Sequence, residues 1–314
     1  MENGKLHEPV MIREVVEALH IENPARITTY SVAGGQAHYI DATLGMGGHS
    51  QAIICLGGSV LGIEADEESL ELAKKNLSET CPTPEGNLRG SKTLVHGNFR
   101  DVKQIAGRFG FNQVEGILLD LGISSYHLAS HERGFSFQDP KAPLDMRLSR
   151  GNQGVRASDL LKVLNLNQLT EVFGTVLPRN LAFSLVKKIV KRRKLKEIES
   201  VGDFLDVIGE DFKVKPKLHP ATLPFLALRI AVNSELENLR AFLPQSVELL
   251  KPKGRLVIIS FHSIEDRIVK TFFRECEKQK TASLPTKKPI IPSEDEINKN
   301  PKSRSAKLRV LEKI

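Results

Sequence analysis

Three cysteines, Cys55, Cys81 and Cys276, are all that the 314-residue chain contains. They have neither metal-ligand spacing nor an even count, so no metal centre is indicated and a cytoplasmic setting is expected. No apolar run is long enough to span a bilayer, and residues 1–20 carry acids and a histidine rather than a signal sequence. No membrane partner is therefore expected. Internal repeats and low-complexity tracts are also missing. What is present resembles an ordinary globular protein, with 40% hydrophobic and 26% charged residues. That length holds one large domain or a domain with a sizeable insertion. A net charge of +7 suits a polyanionic partner, as supporting evidence only.

The most informative stretch is Tyr39 to Ser50, which reads as a strand, a glycine-rich turn and the start of a helix. Gly45, Gly47 and Gly48 allow dihedrals and close approaches that a Cβ forbids. The free N–H groups of the following helix face the turn. Plain turns also use glycine clusters, so this feature alone is weak. Ser59–Glu64 follows as a second strand ending in an acid, about twenty residues beyond the turn, where doubly wound folds bind a ribose diol. The third glycine of the dinucleotide fingerprint is missing, and Asp41 suits an amine-bearing ligand better than a pyrophosphate. S-adenosylmethionine is favoured over NAD.

Further strands are expected over residues 93–99, Val114–Asp120 and Arg255–Ser260, with a candidate last one at Ala306–Leu311. The run Ile117-Leu118-Leu119 does not alternate, as expected of a strand covered on both faces. A breaker-rich loop is expected over Cys81–Gly90 and a connection over Ile27–Gln36. From Gly122 to about Pro216 no convincing strand appears; a polar loop leads into helical patterns near Ala157–Leu164, Leu181–Lys194 and Val201–Ile208. The expected architecture is a parallel, Rossmann-like α/β domain over residues 1–125 and 217–314, interrupted by an all-helical substrate-recognition domain over 126–216.

In such sheets ligands gather at the carboxyl ends of the strands. Those exits hold Asp41 to His49, Glu64, Phe99, Asp120 to Ser125, and Ser260 to Ser263. The set provides two acids for a diol or an amine, an aromatic for a purine, and small polar groups. Taken alone, Phe99 reads better as a core aromatic, and Asp120 better as a site group than as a helix cap.

Several ordered motifs go further. Asp41-Ala-Thr-Leu-Gly-Met-Gly-Gly-His49, Leu119-Asp-Leu-Gly-Ile-Ser-Ser125, Arg133-Gly-Phe-Ser-Phe137, Pro143-Leu-Asp-Met-Arg147, His219-Pro-Ala-Thr222, Ala227 to Leu236, Ser260 to Lys270 and Asn300 to Arg309 together resemble the RsmH (MraW) family. Its members are class I S-adenosylmethionine-dependent methyltransferases acting on N4 of a cytidine in the P-site region of 16S ribosomal RNA. The resemblance runs from His7 to the C-terminus and departs at Tyr126-His127, at Thr175 to Pro178, and at Leu223 and Leu226.

The resemblance implies that Gly47, Gly48 and His49 hold the methionine part of the cofactor, Glu64 its ribose and Phe99 its adenine side. Asp120 would lie near the sulfonium, and His127 would stand in for a glutamine contact. Asp120, with Ser124 or Ser125, would accept hydrogen bonds from the target amine. On the RNA side stand Phe135 and Phe137, as stacking groups or loop anchors, and Asp145 and Arg147, as site groups or an ion pair. His262 lies at the same sheet edge; its neighbours Glu265 and Asp266 fit helix capping as well as RNA contact. The basic run from Lys187 to Lys196, including Lys191, Arg192 and Arg193, is either a solvated face or a phosphate contact. The expected partner is 16S ribosomal RNA or the small subunit, with a homodimer left open. A methyltransferase acting on DNA or a small molecule is the alternative.

Overall fold

The computed structural model describes residues 9–21, 36–78, 90–214 and 218–314. The loop expected over Cys81–Gly90 and the connection over Ile27–Gln36 therefore lie outside the described residues, save for Gly90 and Gln36. Contacts divide the chain into two units, Met1–Gly122 with Asn238–Ile314, and Ile123–Glu237.

Seven strands among the described residues build the first unit: β1 (His38–Asp41), β2 (Ser59–Glu64), β3 (Ser91–His96), β4 (Val114–Asp120), β5 (Leu250–Ser260), β6 (Ala282–Ser283) and β7 (Lys307–Lys313). They form one sheet in the order β3-β2-β1-β4-β5-β7-β6. From β3 to β5 all neighbours are parallel. The chain winds outward from β1 through β2 to β3, then returns to place β4 on the other side of β1. The switch point thus lies between β1 and β4, where the carboxyl ends open a crevice.

Both sheet faces are covered, which explains the non-alternating strands. Ile40, Leu61, Ile63, Ile117, Leu119, Leu256 and Ile258 enter one core with helices Val102–Arg108 and Ser263–Lys278. Their neighbours Tyr39, Val60, Leu118, Val257 and Ile259 enter the other, with helices Ile12–Ala18, Gly48–Cys55 and Glu67–Asn76. Successive strand residues point to opposite faces, so a doubly covered strand needs apolar residues at every position.

The last strand departs from the expected parallel sheet. β7 runs antiparallel between β5 and β6. Apolar periodicity carries no strand direction; the register from Arg255 opposite Glu312 to Ser260 opposite Lys307 sets it, and Arg255 holds Glu312 at 2.8 Å. Asp266 grips the same strand through Arg309 at 2.7 Å and Lys307 at 3.2 Å, a packing role. Cys276 is a buried free thiol, whereas Cys55 is disulfide-bonded, so the odd count did not exclude a bridge. No helix among the described residues is long and apolar enough to cross a membrane.

The second unit is helical, with Ser125–Ala129, Ala157–Val163, Leu166–Gly174, Arg179–Arg193, Val201–Ile208 and Thr222–Asn233 around Phe173, Leu185, Phe204 and Phe225. It extends past residue 216, because Phe225, Ala227 and Leu228 belong to this core. The helix Leu166–Gly174 was not expected from the sequence. Its signal is the reciprocal cap in which Asn165 accepts from the Gln168 N–H and Gln168 from the Asn165 N–H, both at 3.0 Å.

Candidate active site

The carboxyl ends of β1, β2 and β4 assemble a compact polar network within the sheet unit. Asp41, 1% exposed, closes β1. Its carboxylate accepts from the Ser50 hydroxyl at 2.7 Å and the Thr43 N–H at 3.3 Å, which ties the turn to the first turn of the helix behind it. Burial raises its pKa, against the opposing influence of His49 and these hydrogen bonds. Asp41 thus braces the turn from within, rather than offering its carboxylate to an amine.

The glycines do three different things. Gly47, at φ +90°, would place a Cβ 2.9 Å from the Leu77 side chain. A Cβ on Gly48 would come equally close to Pro9, at 2.9 Å. Gly45 is left-handed at φ +55°, a Cβ there would meet only the Thr43 carbonyl oxygen at 4.0 Å, and its N–H donates to Glu64 at 2.7 Å. The other Glu64 oxygen accepts from the Asp66 N–H at 2.9 Å. Backbone donors on both oxygens fix this carboxylate at the end of β2. That suits a diol.

Asp120 ends β4, and its backbone N–H donates to the Thr43 hydroxyl at 2.6 Å, locking strand end to turn. Its side chain is 23% exposed, yet Oδ1 is buried with no hydrogen-bond partner. Desolvation raises its pKa to about 7; His49 opposes the rise, while the charges of Asp41 and Glu265 add to it. His49 Nε2 lies 2.9 Å from the Val10 carbonyl, which only accepts, so this nitrogen carries a proton. Nδ1 then faces Asp120 at 3.9 Å. Phe99 packs edge-on against Phe242 with centroids 5.6 Å apart and borders the core, so its core role is visible in the structure.

Other expected site residues are occupied elsewhere. His262 caps the helix Ser263–Lys278, and Glu265 accepts from the N–H groups of Phe261 at 3.0 Å and His262 at 3.2 Å. Capping, the alternative expected from the sequence for Glu265, describes Glu265, and it also describes His262, which was expected on the RNA side. In the helical unit Ser124 and His127 form the reciprocal cap of the short helix Ser125–Ala129, with His127 Nδ1 accepting from the Ser124 N–H at 3.1 Å. The side chain of Ser125 lies outside the described part of the structure.

Phe135 is only 6% exposed and sits in the helical core, so it anchors its loop rather than offering a stacking face. Phe137 stacks on His219 with centroids 4.4 Å apart. Asp145 takes a bidentate pair of bonds from Arg147 at 2.7 and 3.0 Å. Burial works to raise the Asp145 pKa, but the Arg147 bonds and charge outweigh it and hold it below the ordinary value. Arg147 also donates to the Gln153 carbonyl at 2.7 Å, so the pair is structural. Arg193 donates to three carbonyls at the end of the helix Ala157–Val163, at 2.7 to 3.1 Å, and Arg192 lies 3.5 Å from Asp203. Neither is a free cation for phosphate. The apolar departures at Leu177 and Leu223 face or border the helical core.

The open turn at Gly45, the braced Glu64 and the unpartnered Asp120 oxygen fit a nucleoside carrying a reactive cationic centre, as in S-adenosylmethionine. Against known families, residues 4–314 match the family model described as the MraW methylase family. The chain belongs to that family. It is 38% identical over 315 residues to the ribosomal RNA small subunit methyltransferase H of Coprothermobacter proteolyticus, covering 100% of this chain and 98% of that one. Identity to the protein of the same name from Dictyoglomus thermophilum is 39% over 312 residues, covering 98% and 97%. A solved structure of an rRNA methylase from Streptococcus thermophilus overlaps with a TM-score of 0.40 at 11% identity, covering 89% of this chain and 87% of that one. Membership in a family of methylases makes the protein an enzyme of methyl transfer.

Proposed function

We propose that this protein transfers a methyl group from S-adenosylmethionine to the exocyclic N4 of a cytidine in 16S ribosomal RNA of the small subunit, in the cytoplasm. The observation that carries the reading is Asp120: a carboxylate at the end of the central strand, one oxygen buried and unpartnered, with a proton affinity near neutrality. Family membership and relatives named for small-subunit ribosomal RNA support the substrate.

When bound, the cofactor supplies an electrophilic methyl carbon. The residues that would hold it are Gly45, Gly47 and Gly48 along the turn, Glu64 at the ribose and Phe99 toward the base, with Asp41 and Thr43 keeping the turn rigid. The amine of cytosine is a poor nucleophile because its lone pair is conjugated into the ring. Asp120, ionised, accepts a hydrogen bond from that amine and draws the nitrogen toward tetrahedral geometry. As the methyl passed from sulfur to nitrogen, breaking S–C and forming N–C, the amine would give one proton to the Asp120 carboxylate, which would return it to solvent. His49, its Nε2 fixed on Val10, keeps its Nδ1 edge toward Asp120. Orientation of the reactants supplies about 7–11 kcal/mol of the barrier reduction in well-aligned systems, so no stronger base is needed.

Mass mapping of modified nucleotides in small-subunit RNA, from cells with and without this gene, tests the reading. The expected result is one cytidine that loses a single methyl on N4 when the gene is removed. An unchanged modification map would refute it.

A further inference from the structure

The basic run on the helix Arg179–Arg193 and just beyond it separates into two sets once side-chain partners are known. Lys188 donates to the Ile208 carbonyl at 3.1 Å, Lys196 to Asp203 at 2.8 Å, and Arg192 and Arg193 are tied as described. Asp203 is the acid at the centre of this set; the Lys196 hydrogen bond first, with those of Ser200 and against desolvation, holds its pKa down at about 2. These cations knit helices together. Arg179, Lys187 and Lys191 do the opposite: they are exposed and have no acidic partner among the described residues. Phe183 stands between them, 40% exposed, although large aromatics usually withdraw from water.

The spacing makes this a surface feature. Positions 179, 183, 187 and 191 are four apart and form one continuous ridge, about 6 Å of rise per step and roughly 18 Å in all. The opposite face, Ala182, Leu185, Val186 and Ile189, is buried in the helical core, so the ridge is held rigidly outward. The Lys187 ammonium lies 4.5 Å from the centroid of the Phe183 ring, which orients both groups before any partner arrives. Unneutralised cations flanking an exposed aromatic match an unpaired nucleic-acid strand: phosphates for the cations, a base face for the ring. A protein surface rich in acids would use the charges but would leave the ring without a purpose.

We infer that the ridge Arg179–Phe183–Lys187–Lys191 binds a single-stranded segment of the RNA substrate, with Phe183 stacking on an unpaired base and the three cations on flanking phosphates. The inference rests on the RNA reading given above. It moves the RNA contact away from Arg192 and Arg193, which the sequence alone had grouped with Lys191.

The test is fluorescence-anisotropy titration of the full-length protein with a single-stranded fragment of small-subunit RNA and a duplex of equal length, across a salt series. Three variants are compared: R179Q/K187Q/K191Q, Phe183→Ala and Arg193→Gln. For the triple variant the slope of log affinity against log salt should fall by about 2, since each lost phosphate contact on a single strand removes about 0.7. Phe183→Ala should weaken single-strand binding by roughly 5- to 100-fold, the equivalent of one stacked base, with the slope and the duplex affinity unchanged. Arg193→Gln should lower the melting temperature and leave the slope alone. The proposal is overturned if the triple variant keeps the wild-type slope, if Phe183→Ala affects both RNAs equally, or if acidic polyglutamate competes as well as RNA. Methyl incorporation at saturating RNA is measured in parallel. A wild-type salt slope in the triple variant, with methylation of ribosomal RNA by the wild type, would sink only this inference, whereas ridge-dependent RNA binding with no methylation of ribosomal RNA would sink only the functional reading.

Discussion

Replacing Asp120 by Asn lowers methyl transfer by about 10²–10⁴-fold, the range for a positioned acid–base group. The backbone is preserved because Asp120 holds Thr43 through its own N–H. In the wild type the rate follows the ionised fraction, rising with pH until it levels above about 7. The same substitution raises stability. Asp120 has its pKa raised in the folded state from 3.8 to about 7, so the native protein binds the proton more tightly than the unfolded chain. That contribution is fully present below pH 3.8 and is lost as pH rises through about 7. Above that point the wild type carries an ionised, desolvated carboxylate. The cost is up to roughly 4 kcal/mol, because each tenfold change in proton affinity is worth about 1.4 kcal/mol. The Asn variant should therefore unfold at higher denaturant than wild type at pH 8 and at the same denaturant near pH 3. Full turnover in the variant, or equal stability at pH 8, would remove Asp120 from its assigned role.

Gly134→Ala should destabilise the helical unit by roughly 2–5 kcal/mol, combining left-handed backbone strain with overpacking. Gly134 sits at φ +66°, and an added Cβ would fall 2.2 Å from the backbone oxygen of Pro143. Backbone cannot swing aside as a side chain does. The surrounding loop has no slack either: the Met146 N–H donates to the Arg133 carbonyl at 2.8 Å, and buried Arg133 donates to the carbonyls of Arg147 and Leu148. Asn233 donates to the Met146 carbonyl at 2.8 Å and accepts from the Leu148 N–H at 2.9 Å. Urea unfolding followed by a probe in the helical unit measures the effect. A transition identical to wild type would contradict it.

Much of the sheet could be read in the residues because doubly covered strands advertise themselves. β2 and β4 match their expected limits, since each carries an apolar stretch, residues 60–63 and residues 116–119, that ends in an acid. The direction of β7 could not be read, because alternation is the same in either sense. Glu64 and Asp120 were legible as strand-end acids because each directly follows a buried apolar stretch. Asp41 looked identical by that rule, yet its side chain turns inward to Ser50; strand position cannot report which way a carboxylate points. The basic run failed for a related reason. Adjacent residues on a helix point about 100° apart, so Lys191 faces solvent while Arg192 and Arg193 fold back on neighbouring helices, and no composition rule separates them. Ser124 and His262 are N-caps and His127 reciprocates from the third helical position; for Ser124 that use is one that short polar residues before helices permit.

The account stands on a nucleoside cofactor seated along the glycine turn between Glu64 and Asp120. Isothermal titration of the purified full-length protein with S-adenosylhomocysteine addresses this directly. The expected outcome is saturable binding at one site per chain, abolished or greatly weakened by Gly47→Val, whose side chain would collide with Leu77. A folded wild-type protein that gives no binding heat with S-adenosylhomocysteine or S-adenosylmethionine would contradict the account at its root.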